Sequence, residues 1–307
     1  MSKHSFGGPW TFIKLDILNR YLSFFNTALQ RQPNAEKPFD RVYIDAFAGT
    51  GECDIKLDNG NSLTIAGSAK IAIEKTTPGF HHVHLIDVDA KHAAQLEILA
   101  SSNQDVSVTV YKNDANAALE SIISKVNWHQ TRGVVFLDPY GMALNWATIE
   151  KIAKTRALDV WYLFPLNAVA RQAANDFTKI DSGKADSLDR LLGTTDWRTE
   201  FYQETAQGSF LAEGKTMITR KFGNAEIASY VHNRLSAVFH GWVSPPIFLP
   251  ETGSPIFALF FAVANPSESA VKLSKKAAEH LFVMLKNKKI GRISGEAVTN
   301  DGQNELF

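Results

Sequence analysis

Arg41-Val-Tyr-Ile-Asp-Ala-Phe-Ala-Gly-Thr-Gly-Glu-Cys-Asp54 is the stretch on which the fold turns. Its opening residues are apolar and β-branched in alternation, the pattern of a short buried strand. The strand then breaks into a turn whose glycines, Gly49 and Gly51, let the backbone bend sharply and approach a ligand closely. Asp45 lies inside the strand, where an unpaired carboxylate is costly to bury, so it should aim at the strand's carboxyl end and at a partner. Two cofactor classes use a strand followed by such a turn. A dinucleotide site wants G-x-G-x-x-G, with bare N–H groups facing a diphosphate. Here Asp54 holds the third glycine position and Glu52 lies between. Two carboxylates repel a diphosphate, whereas the sulfonium and ammonium of S-adenosylmethionine welcome them.

Downstream, residues 82–87, 106–111, 133–138 and 159–165 form four further apolar runs of strand length. Helical periodicity separates them, over 90–100, through Ala117, Leu119 and Ile123, and over 146–155. Strands alternating with helices predict right-handed crossovers and a mainly parallel sheet with helices on both faces, an α/β, Rossmann-like fold. The interval 52–67 carries the turn signal Asp58-Asn-Gly-Asn61 and is expected to be either a flap over the site or a plain surface hairpin. A helix should start at Gly67-Ser68.

Upstream, Trp10, Ile13, Leu18, Tyr21, Leu22, Phe25 and Leu29 recur mostly at three- and four-residue steps, with Lys14, Asp16, Asn19 and Arg20 between them. That spacing predicts an amphipathic helix laid on the domain. Past Leu166 the alternation stops, and 171–239 reads as several helices with polar joints. Apolar runs at 243–249 and 255–264 flank Pro250-Glu-Thr-Gly-Ser254 and predict a hairpin, followed by a helix over 267–285 and a polar tail from Ser294. The chain therefore divides into a helical extension (1–38), a cofactor-binding core (39–166), a helical substrate region (167–240), and a hairpin that completes the sheet with a final helix (241–307).

Composition narrows the function classes. With 32 basic and 32 acidic residues the formal net charge is zero, so any contact with nucleic acid must come from local patches. The lone cysteine, Cys53, excludes an internal disulfide and a thiolate zinc cage, and fits a reducing cytoplasm. No apolar run reaches transmembrane length, and the first residues lack the apolar centre of a signal peptide. The expectation is a cytoplasmic protein without a bound metal.

Ligands of open parallel sheets sit past the carboxyl ends of the strands. Four successive strands end at Asp45, Asp87, Asp114 and Asp138. Asp87 can accept both ribose hydroxyls with its two oxygens, Asp114 an adenine amino group, and Asp45 an ammonium, directly or through water. Asp89 reads as a helix N-cap. Asp138-Pro-Tyr-Gly141 is the candidate for chemistry: the Asp138 carboxylate and the Pro139 carbonyl offer two acceptors that can orient an exocyclic amine, and Tyr140 a stacking face. A turn that merely closes a buried strand is the alternative.

Trp10-Thr-Phe-Ile-Lys-Leu-Asp-Ile-Leu-Asn-Arg-Tyr-Leu22, Asp45-Ala-Phe-Ala-Gly-Thr-Gly51, Gly67-Ser68, Leu85-Ile-Asp-Val-Asp89 and Phe136-Leu-Asp-Pro-Tyr-Gly141 together resemble the bacterial three-Cys-motif partner family. The resemblance implies the fold of class I S-adenosylmethionine-dependent methyltransferases, and a partner protein with three cysteines that itself resembles radical S-adenosylmethionine enzymes. It assigns Asp45, Phe47, Gly49, Gly51, Asp87 and, more loosely, Asp114 to the cofactor. The amino-directed enzymes of adenine and cytosine carry Asp/Asn-Pro-Pro-Tyr/Phe; here the second proline is missing and the aromatic comes one place early. Two functions follow: methyl transfer to nucleic acid at a base amino group, or a non-catalytic subunit of the three-cysteine protein, with phage defence as its setting. A nicotinamide dehydrogenase is disfavoured by Asp54.

Other clusters have plainer readings. His82 and His84 share a strand face, but without a third ligand they read as ordinary strand residues. Asn167 and Arg171 face either substrate or solvent. The basic residues Lys272, Lys275, Lys276, Lys286, Lys288, Lys289 and Arg292 suit phosphate contacts or a solvated helix face equally well, and the nucleic-acid expectation falls on the last four.

Overall fold

The computed structural model describes residues 9–56, 62–75, 78–103, 105–206, 216–250 and 253–287. Helix α1 (Pro9–Leu29) leads into β1 (Asp40–Asp45), whose residues after Asp40 are all buried. Past the glycine turn the chain makes a hairpin of β2 (Glu52–Lys56) and β3 (Ser62–Ala66). The short α2 (Ser68–Lys70) then widens into a π-turn over Ile71–Lys75. Next come β4 (His82–Asp87), α3 (Ala90–Ser101), β5 (Ser107–Lys112), α4 (Ala115–Lys125), β6 (Thr131–Leu137), α5 (Trp146–Lys154) and β7 (Leu158–Phe164). The remaining elements are α6 (Leu166–Gln172), α7 (Ser182–Leu192), α8 (Trp197–Glu200), β8 (Tyr202–Ala206), β9 (Thr216–Arg220), α9 (Asn224–Val238), β10 (Trp242–Val243), β11 (Ile247–Leu249), β12 (Phe257–Val263) and α10 (Glu268–Lys286).

The main sheet runs β10-β12-β7-β6-β1-β4-β5, with β11 also paired to β12. Strands β7, β6, β1, β4 and β5 are parallel, as the alternating sequence requires, and β12 joins β7 antiparallel, so the C-terminal hairpin does complete the sheet. β7 is buried at every residue because helices cover both faces. The chain leaves β1 toward β4 and β5 on one side and returns to β6 and β7 on the other. The strand order thus reverses between β1 and β6, the switch point past whose carboxyl ends the ligand crevice of an open parallel sheet is expected.

Two cores sandwich the sheet. One packs Val42, Ile44, Val135 and Val160 against α4, α5, α6, α7 and α9. The other packs Tyr43, Leu85, Phe136 and Trp161 against α1, α3 and α10. Helix α1 goes deeper than its amphipathic pattern predicts, since none of residues 10–29 is exposed. Burying Leu18, Leu22 and Ile17 there stabilises the fold by roughly 1.5–3 kcal/mol each. A polar pin reinforces it: the Tyr21 hydroxyl donates to Asp159 at 2.5 Å, and the Ser274 hydroxyl of α10 donates to the same oxygen at 3.1 Å.

The region after Leu166 departs from expectation. It is helical as far as α8, but Tyr202–Ala206 and Thr216–Arg220 pair antiparallel as β8–β9 where the sequence suggests only helices with polar joints. Apart from Tyr202, the described residues of these strands are exposed or half-buried and mostly polar, so no apolar stripe marks them. The pair is anchored instead by buried Tyr202 and by a bridge from Asp176 to Thr219. The interval after the glycine turn is the hairpin β2–β3; its predicted turn, Asp58 to Asn61, lies outside the described residues, as does the tail from Ser294.

Candidate functional site

The parallel register brings the four strand-end carboxylates into one row. Asp45 pairs with Leu85 on β4 and with Phe136 on β6. Asp87 and Asp138 therefore each lie two residues beyond the level of Asp45. Asp87 pairs with Lys112, which puts Asp114 two residues higher again on β5. At about 3.3 Å per residue, Asp45 forms the floor and the other three the rising walls.

Asp45 is completely buried. Its carboxylate accepts from the Tyr43 hydroxyl at 3.1 Å and the Phe47 N–H at 3.3 Å, with the Ser68 hydroxyl as a further donor. Burial pushes its pKa up to about 6, against the pull of those three donors. Phe47 is half-buried beside the turn and packs against the core on the α4 side.

Gly49 and Gly51 have φ of +60° and +84°, conformations that favour glycine. A Cβ on Gly49 would meet nothing within 4 Å, so the space above this residue is open. The Gly49 N–H donates to Asp87 Oδ2 at 2.9 Å. Asp87 Oδ1 accepts from the Asp89 N–H at 2.8 Å and sits 3.2 Å from His92 Nδ1. Asp89 is the N-cap the sequence suggests, accepting from the Lys91 and His92 N–H groups.

Asp114 also caps a helix: its Oδ1 accepts from Asn116 and Ala117 N–H groups at 3.0 and 3.1 Å. Asn116, which sequence reasoning missed, ties this end of α4 to the loop after β6. Its Nδ2 donates to the Ala143 carbonyl at 2.9 Å, and its Oδ1 accepts from the Asn145 N–H and the Thr148 hydroxyl at 2.9 and 2.8 Å.

Asp138 and Tyr140 differ in setting. Tyr140 is 79% exposed on the loop that turns at Gly141, where φ is +62°. The Asp138 carboxylate is paired with the Lys14 ammonium, reaching in from α1; their side chains are only 22% and 13% exposed. Lys14 is thus not the solvent-facing residue that its place on the helix predicts. No local signal could have revealed the pair, because 124 residues separate its members.

The donor set discriminates between cofactors. In a dinucleotide site the turn's N–H groups and the following helix N-terminus face the diphosphate. Here the Gly49 amide is already committed to a carboxylate and the turn enters strand β2 directly. The site offers acceptors and open space, which fits the ribose, adenine and ammonium groups of S-adenosylmethionine.

Neighbouring residues have structural roles. Burial raises the Cys53 thiol pKa, which keeps it unreactive. His84 Nδ1 lies 3.2 Å from the Tyr111 hydroxyl, and burial lowers its pKa to about 4. Among the described residues no group of three or more His, Cys, Asp or Glu can hold a metal, and no helix is long and apolar enough to cross a membrane. A recess of about 460 Å³ lined by Glu74, His81, Asn103 and Asp105 lies at the opposite, amino-terminal ends of β4 and β5, the wrong end for a ligand of this sheet.

No protein-family model matches the chain, and no curated protein does. Among solved structures, protein LPL1258 of Legionella pneumophila is similar at 14% identity, over 76% of this chain and 93% of that one, with a TM-score of 0.42. The CurJ carbon methyltransferase is similar at 11% identity, over 80% of this chain and 54% of that one, with a TM-score of 0.36. An S-adenosylmethionine-dependent methyltransferase from Clostridium acetobutylicum is similar at 11% identity, over 80% and 92%, with a TM-score of 0.32. Likenesses this distant carry no weight for the chemistry of the chain.

Proposed function

We propose that the chain is an S-adenosylmethionine-dependent methyltransferase that acts on an amino group of a nucleic-acid base. The observation that carries the cofactor half is the hydrogen bond from Gly49 to Asp87, which leaves the turn without the bare amide a diphosphate needs. The remaining lone pairs of Asp87 suit the two ribose hydroxyls and the second oxygen of Asp114 the adenine amino group, while the buried Asp45 would act on the ammonium through its charge and not by a direct bond. Bound there, S-adenosylmethionine would supply an electrophilic methyl group. Asp138 and the Pro139 carbonyl are the acceptors that would orient a base amine, and exposed Tyr140 the face on which the base would stack. Lys286, exposed on α10, supports a phosphate contact; Lys288, Lys289 and Arg292 lie outside the described residues.

Two observations favour a second reading. The ammonium of Lys14 already sits on Asp138, and the Pro-Tyr-Gly turn differs from the amino-directed pattern. Both support a methyltransferase-fold subunit that binds the cofactor but serves a three-cysteine partner instead of methylating nucleic acid. Incubation with methyl-tritiated cofactor and mixed DNA or RNA separates the two. Label transfer that Asp138→Ala abolishes supports the enzyme. Cofactor binding without transfer, together with co-purification of a three-cysteine protein, supports the subunit.

A further inference from the structure

A second recess, of about 310 Å³, lies between α8 and the outer face of α9. It is lined by Glu200, Phe222, Glu226, Ser229, Tyr230 and Asn233. Its wall is aromatic: the fully buried Phe201 ring packs against both Phe222 and Tyr230, with centroids 5.1 Å apart in each pair. The Tyr230 hydroxyl is buried and has no hydrogen-bond partner among the described residues, a vacancy that a polar ligand can fill. The rim is acidic. Glu226 Oε2 accepts from the Gly223 N–H at 2.9 Å, and neither Glu226 nor Glu200 has an ion-pair partner among the described residues. Burial raises the Tyr230 pKa; Arg234 lowers it, and Asp196 and Glu200 raise it again, so acids outnumber the base around the hydroxyl. Arg234 is engaged elsewhere, stacked over the Trp146 ring at 4.7 Å, and Lys221, 5.8 Å from the Phe222 centroid, is not part of the lining. The recess is on the crevice side of the sheet. Asn224 Nδ2, at the start of α9, donates to the Pro255 carbonyl at 3.5 Å, close to where Ala258 pairs with Phe164 at the carboxyl end of β7.

We propose that this recess is the docking pocket for an arginine side chain presented by a protein partner. Charge complementarity selects a cation, because two exposed carboxylates stand at the rim without a counter-ion. The aromatic wall selects a guanidinium over an ammonium. A guanidinium is planar and weakly hydrated, so it stacks on a ring, and its five N–H donors match the acceptors of Glu200, Glu226 and the orphaned hydroxyl. The volume sits at the low end of the roughly 300–1,000 Å³ usual for ligand sites, which suits one side chain. The same carboxylates repel a phosphate, so a nucleic-acid backbone is the wrong occupant here. None of these residues lies at a strand end, and the inference is independent of the cofactor reading.

Amide NMR titration of the full chain with N-acetyl-arginine amide tests this without any turnover. Saturable shifts are expected over 222–233, with the signals of Gly49 and Asp87 unmoved. N-acetyl-citrulline amide keeps the planar group and carries no charge, and it should bind at least about tenfold more weakly, the size of one charge-assisted hydrogen bond. Glu200→Gln combined with Glu226→Gln should erase that difference. Both residues are exposed, and a glutamine at 226 still accepts from the Gly223 N–H. The absence of saturable shifts in the wild type overturns the proposal, as does equal binding of the citrulline probe or a preference that survives the double substitution. N-acetyl-lysine amide binding as tightly as the arginine probe would make the recess a general cation site. Spermidine binding more tightly than either would make it a polyamine site. Each of these results also overturns the docking of arginine. Should the double variant fail to fold, the citrulline comparison on the wild type and Glu200→Gln alone still decide.

Discussion

The Gly49 N–H reaches across from the turn after β1 to the Asp87 carboxylate at the end of β4, 2.9 Å away. One side chain therefore fixes the turn, begins the β4–α3 connection through the Asp89 N–H, and walls the crevice. Asp87→Asn should unsettle all three, because an amide offers one acceptor oxygen where the carboxylate offers two, and turns an NH2 toward an N–H. We expect a stability loss of about 1–3 kcal/mol in urea unfolding and severe weakening of S-adenosylmethionine binding. Cofactor affinity equal to wild type would remove Asp87 from the site.

Glycines 49 and 67 should respond differently to the same methyl group. A Cβ at Gly67 would lie 2.9 Å from the backbone of Gly51, so Gly67→Ala must push the turn apart and lower stability. At Gly49 the space is open, and the cost is only that of the left-handed backbone, about 1–2 kcal/mol. Gly49→Ala should fold yet lose ligand, since the methyl projects into the crevice. Thermal melts alongside cofactor titration check the contrast. A Gly49→Ala protein that binds normally would mean that the open space there is not the ligand's.

Asn116 couples the two halves of the crevice. Its amide spans from the helix capped by Asp114 to Ala143 and Asn145, beyond the Pro139–Tyr140 turn. Asn116→Asp keeps the acceptor for Asn145 and Thr148 but faces the Ala143 carbonyl with an oxygen, and should free the loop at that point. Faster amide hydrogen exchange over 139–145, with the exchange of β6 unchanged, is the expected outcome. Uniform exchange across the loop and the strand in both proteins would show that Asn116 does not tether it.

Much of this architecture could be read before folding. The parallel core follows from apolar runs such as 133–138, which only a strand covered on both faces can sustain, and Asp89 announces its cap by position. What escaped detection was non-local. Lys14 looks like a solvated helix residue until α1 is laid against the end of β6, and Asn116 looks like any first-turn residue of α4. The hairpin β8–β9 escaped for the opposite reason: beyond Tyr202 none of its described residues is fully buried, so period-two hydrophobicity never appears. Periodicity reports which face is buried, not which distant partner a polar side chain meets.

Two buried carboxylates set the pH dependence of stability. Burial pushes Asp159 and Asp45 each up to about 6, above the usual value of 3.8. Between those values the folded chain holds protons that the unfolded chain has released. The stabilisation from each group is therefore complete below about 4 and is lost as pH rises through 6. For Asp159 the shift amounts to about 3 kcal/mol at most. Asp159→Asn removes the titration while its carbonyl oxygen can still accept from Tyr21 and Ser274, so the urea midpoint of the variant should fall less than that of the wild type between pH 4 and 7. Capped and paired acids whose pKa is lowered, such as Asp189 beside Arg198, act in the opposite sense and lose their contribution only as pH falls below 4. Parallel midpoint curves for wild type and Asp159→Asn across that window would show that the carboxylate between α1, β7 and α10 stays ionised in the folded chain.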